Sequence, residues 1–96
     1  MSLLKVEQKV PGKAIGQMLF QLFFDGKVTI GGHEVYIDNP QLPVATKMKD
    51  FVQWEFKSPL KVSTPGPDSS INVVRQYKDR IEFELWPWAN VKLVLT

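Results

Sequence analysis

Cysteine is absent from this 96-residue chain. Without it there is neither a disulfide framework nor a thiolate metal site, so a small stapled secreted scaffold is set aside and stability has to come from packing. Histidine occurs once, at His33. A zinc site would have to combine it with carboxylates alone, a poor ligand set, and His33 reads instead as a solvent-facing turn residue. Long apolar runs are lacking too. The richest stretch, residues 18–24, is interrupted by Gln21 and falls far short of the ~20 residues a membrane span needs. The opening MSLLKVEQKV holds no apolar segment of signal-peptide type. The expectation is a cytoplasmic protein that does not enter a membrane.

Neither sign of charge dominates. Lys and Arg total 12 against 10 Asp and Glu, for a net charge of +2, and the two halves of the chain carry equal shares. The densest basic runs are TKMKD, with Lys47 and Lys49, and RQYKDR, with Arg75, Lys78 and Arg80; each contains an aspartate. Strong nucleic-acid binders show a larger one-signed patch. Catalytic signatures are missing as well. Neither G-x-G-x-x-G nor G-x-x-x-x-G-K-[ST] occurs. Ser58, Ser63 and Ser69 lie outside any nucleophile-elbow context. Glu82 and Glu84 share a strand face, where exposed carboxylates are ordinary and nothing marks a desolvated general acid. No enzyme activity and no cofactor are expected.

What is present is an ordinary globular composition, 44% hydrophobic and 23% charged, with no repeat or linker dividing residues 1–96, so a single domain is expected. Residues 2–10 alternate, Leu4, Val6 and Val10 against Lys5, Glu7 and Lys9, as in a half-exposed strand ended by Pro11-Gly12. Residues 13–24 read as a helix, with Ile15, Met18, Leu19, Leu22 and Phe23 on one stripe and Gly26 as its C-terminal cap; a strand over the same residues is the competing reading. In KVTIGGHEVYID two β-rich runs flank Gly31-Gly32, the signal for a tight hairpin. Residues 39–50, with two prolines, read as a long connection with at most one helical turn. FVQWEFK alternates as a strand, with a helix over residues 44–56 as runner-up, and LKVST resumes after Pro59. TPGPDSS, residues 64–70, is the strongest loop and the expected mobile segment. Strands at 71–77, 80–86 and 91–96 follow. The order implies an α+β fold, an antiparallel β-sheet with one helix, or alternatively an all-β sandwich or small barrel. The stretch AIGQMLFQLFFDGKVTIGGHEVYID resembles the helix-then-hairpin half of a small ribosomal-type RNA-binding domain, over about a quarter of the chain. It lacks that family's arginine-rich helix, and no family is claimed.

The segment LWPWANVKL sets Trp86 and Trp88 around Pro87. If Ile81, Phe83 and Leu85 face the core, strand parity carries both indoles to the face of Glu82 and Glu84. Alternatively Pro87 ends the strand and the rings fold back over the core. Pro87 donates no backbone hydrogen bond, so an edge or corner is expected here, a place where partners add on. The function expected is a non-enzymatic protein-binding or assembly domain of accessory, phage-type or regulatory kind. Its surface would be the aromatic corner, and it would self-associate through a sheet edge. The alternative is weak nucleic-acid binding by a stacking platform in which Trp86, Trp88 and Tyr77 are flanked by Arg75, Lys78, Arg80, Lys47 and Lys49.

Overall fold

The computed structural model describes residues 3–30, 32–64 and 69–96. Strand β1 (Leu4–Val10) is followed by a continuous helical segment: a 3-10 turn (Gly12–Ala14), helix α1 (Ile15–Phe20) and a wide π turn (Gln21–Asp25). Gly26 ends it with φ of 74°, and a Cβ at this position would stand 3.2 Å from the Pro40 ring, so both conformation and space select glycine. Strands β2 (Lys27–Ile30), β3 (His33–Ile37), β4 (Val44–Lys47), β5 (Phe51–Thr64), β6 (Ser69–Tyr77), β7 (Arg80–Leu85) and β8 (Ala89–Leu95) complete the chain.

All eight strands belong to one sheet, in the order β1-β8-β7-β6-β5-β3-β2, with β4 also paired to β5. The sheet curls into a half-barrel. Its inner face carries Ile81, Phe83 and Leu85 of β7, Val91 and Leu93 of β8, and Val28, Ile30, Val35 and Ile37 of the first hairpin, all buried. The helical segment covers this face with Ile15, Leu19, Leu22 and Phe23. Phe23 packs on Trp54 and Phe56 at centroid distances of 5.2 and 5.6 Å. The curl brings the tip of the β2-β3 hairpin against the β7-β8 turn, where His33 meets Trp88 edge to face at 5.9 Å.

Three expectations need correction. The sheet is mixed rather than antiparallel, because β1 runs parallel to β8, from Leu4 opposite Ala89 to Val10 opposite Leu95. Alternation of apolar and polar residues is the same in either direction, so the pattern carried no information on this point. Residues 39–50 are not a bare connection: Val44–Lys47 form β4, a hairpin with β5 whose turn is closed by Met48 N–H donating to Phe51 O at 2.8 Å. Strand β7 ends at Leu85, and Trp86 keeps only an isolated bridge to Ser70.

Strand β5 is continuous through Pro59 because the chain bulges there. The pairing to β6 jumps from Glu55 opposite Val73 to Leu60 opposite Ile71, which lifts Pro59 off the ladder. The polar groups freed by this bulge are taken up by the segment between β3 and β4. Asn39 donates to Pro59 O at 3.0 Å and accepts from Lys61 N–H at 2.7 Å, while Gln41 donates to Ser58 O at 3.0 Å. Of the expected loop at 64–70, Thr64 closes β5 and Ser69 and Ser70 open β6; residues 65–68 lie outside the described residues.

Candidate functional site

The β7-β8 turn is pinned from three sides. Trp88 N–H donates to Leu85 O at 2.8 Å across the turn, whose Trp86-Pro87 peptide is cis. Ser70 and Trp86 exchange a pair of backbone hydrogen bonds at 2.9 and 3.1 Å, and Leu4 N–H donates to Trp88 O at 2.8 Å. On this fixed backbone the two indoles part company. Trp86 is 57% exposed, as is Leu4 at the adjoining end of β1. Trp88 folds back onto the core, and its Nε1 is buried with no hydrogen-bond partner. Both readings of Pro87 are therefore realised, one for each ring. The corner is a turn between two interior strands rather than a sheet edge, because β6 and β1 flank the β7-β8 pair.

The remaining candidates lie elsewhere. Tyr77 is at the opposite end of β7, beside Phe51 at 5.0 Å and beneath the Arg80 guanidinium at 3.8 Å. Arg80 is also bound to Asp79 at 2.9 Å and Glu82 at 2.5 Å. The Glu82 hydrogen bond, with Asp79 adding to it, holds Arg80 above its ordinary range. Lys47 at the end of β4 and Lys49 and Lys78 in the two neighbouring hairpin turns at this end are exposed. Arg75 sits midway along the outer face. Trp86 and Trp88 are thus not brought together with Tyr77 and its cations into a single platform, and Trp54 packs on the inner face, donating to Gln76 Oε1 at 3.2 Å.

The outer face carries an open trough of about 790 Å³. Across its floor Arg75, Glu82, Lys92 and Glu7 stand directly opposite one another on β6, β7, β8 and β1, and Lys92 approaches Glu7 to 3.8 Å. Lys5 and Glu84 add one charge of each sign. This alternation stabilises cross-strand neighbours and leaves no one-signed field for a phosphate backbone. A second polar group lies on the first hairpin: Lys27 is 3.0 Å from Glu34, which also accepts from the Tyr36 hydroxyl. The Tyr36 bond first, and then Lys27, hold the Glu34 carboxyl below its usual value.

No protein-family model, curated protein or solved structure matches the chain. Its function is therefore argued from the surface itself. Among the described residues no group of three His, Asp or Glu side chains is placed to hold a metal ion, and no helix is long and apolar enough to cross a membrane. The residues that sequence reasoning missed are Asn39 and Gln41, whose amides fill the β5 bulge. Asn-Pro-Gln ahead of a strand looks like any turn, and only the distant bulge at Pro59 gives those amides a purpose.

Proposed function

We propose that the chain is a small non-enzymatic protein-binding domain whose contact surface is the corner formed by Trp86 and Pro87. The observation that carries this reading is the Trp86 indole, 57% exposed on a backbone fixed by paired hydrogen bonds to Ser70. A rigidly held aromatic loses little conformational freedom when a partner covers it, and tryptophan is among the residues most enriched at interface hot spots. Trp88 supports the corner from beneath. A weak nucleic-acid interaction at the opposite end is the second reading, favoured by Lys47, Lys49 and Lys78, which form no ion pair among the described residues.

The test is Trp86→Ala. Folding stability should change by about 1 kcal/mol or less, while affinity for a partner captured from nuclease-treated host lysate should fall by ~2 kcal/mol, about thirtyfold. Capture that survives the substitution, or disappears with nuclease and moderate salt, refutes the corner and favours the cationic end.

A further inference from the structure

We infer that the chain forms a two-fold dimer in which β4 pairs antiparallel with β4 of a second copy, with Thr46 on the axis. This takes up the self-association through a sheet edge expected from the sequence, goes beyond the proposed function, and uses none of the residues of the aromatic corner. Among the described residues strand β4 has β5 as its only strand partner, and its residues are all exposed. Leu42, Val44 and Met48 leave 75%, 66% and 43% of their surface in water, although each is a large apolar side chain on or beside an open edge. Such an edge presents unpaired N–H and C=O groups to another strand.

The direction of these groups follows from the hairpin turn. Met48 N–H donates to Phe51 O, so Met48 and, by the two-residue alternation of an antiparallel ladder, Thr46 and Val44 turn their backbone groups toward β5. Ala45 and Lys47 turn theirs outward. Pro43 shares their parity but has no N–H to give. Three registers bring the outward groups of two copies together, and they differ in chemistry. Centring on Ala45 sets Lys47 opposite Pro43 and wastes a donor site. Centring on Lys47 sets two ammonium groups face to face. Centring on Thr46 sets Ala45 opposite Lys47 on both sides of the axis, so that each pair exchanges both of its hydrogen bonds. The same register places Val44 against Met48 of the second copy and covers these two exposed apolar side chains. Pro43 and Lys47, residue types that blunt indiscriminate edge pairing, here leave one register open.

The full chain should sediment as a monomer–dimer equilibrium between about 1 μM and about 1 mM, the span of weak protein association. Ala45→Pro removes only an outward N–H and should weaken the dimer at least about tenfold with the thermal melt retained. Because the chain has no cysteine, Thr46→Cys reports the register directly: on the axis the two Cα atoms stand ~4.5 Å apart, within disulfide reach. Mild oxidation should therefore yield a covalent dimer. Ala45→Cys should not cross-link, since its two copies would lie diagonally ~7–8 Å apart. A wild type that stays monomeric over the whole range, a folded Ala45→Pro that dimerises as before, or cross-linking through Ala45→Cys in place of Thr46→Cys overturns the inference. Should Ala45→Pro fail to fold, the cysteine pair decides. Trp86→Ala should dimerise like the wild type; loss of the dimer in that variant would move the interface to the aromatic corner.

Discussion

Replacing Trp88 by phenylalanine sets two opposed effects against each other. The indole packs on the core and against His33, so the smaller ring forfeits contact: roughly a fifth of the ~200 Å² an aromatic residue buries, or about 1 kcal/mol at ~25 cal/mol per Å². The same change deletes Nε1–H, a buried donor with no partner, and an unsatisfied buried donor costs about 1–3 kcal/mol. The second effect equals or outweighs the first, and Trp88→Phe should fall between neutral and about 2 kcal/mol more stable than the wild type. Trp88→Ala removes the packing as well and should cost ~3 kcal/mol, the low end for a truncated aromatic because the residue is only half-buried. Urea unfolding followed by far-UV circular dichroism measures both without relying on tryptophan emission. If Trp88→Phe loses more than about 2 kcal/mol, the indole N–H is contributing a favourable interaction and the reasoning fails.

Two further outcomes follow from the core and the first hairpin. Ile81, fully buried at the centre of β7, should cost ~2–5 kcal/mol when changed to alanine and lower Tm by roughly 10 °C or more; a shift of a degree or two would mean that the inner face is not packed as described. Glu34, whose carboxyl is held below its ordinary value by Tyr36 and Lys27, adds stability that is present above that value and lost as pH falls through the lowered one. Melting profiles of wild type and Glu34→Gln should therefore differ at neutral pH and converge in acid, and profiles that run parallel throughout would rule out a role for this pair.

The inner face was legible in the sequence wherever one strand decides its own orientation. Ile81, Phe83 and Leu85 alternate with charge because one side of β7 meets the core, and Gly26 and Gly32 mark where the helical segment ends and the first hairpin turns. What escaped depends on partners far away in the chain. The direction of β1 beside β8 leaves no trace in a period-two pattern. Strand β4 is so exposed that it has no apolar alternation to betray it. Parity could not decide between Trp86 and Trp88, because their separation arises at Pro87, where the strand gives way to a turn and the ring of Trp88 finds His33 across the curl of the sheet. The candidate cations scattered for a related reason: Lys78 and Arg80 are close to Trp86 in sequence, but an extended strand of about six residues spans nearly 20 Å.

The pairing of β1 with β8 also sets an order of events. Every other ladder joins strands that are neighbours or near neighbours in sequence, so hairpins can form as each pair of segments leaves the ribosome. Strand β1 must wait for β8, since Val10 pairs with Leu95 and accepts from Thr96 N–H. Until β8 is available, its alternating Leu4, Val6 and Val10 have no ladder to join, and a contact of this span is slow to form. The period of greatest exposure to misassembly is therefore the interval between emergence of β1 and emergence of β8, and a stall anywhere within it would prolong that exposure.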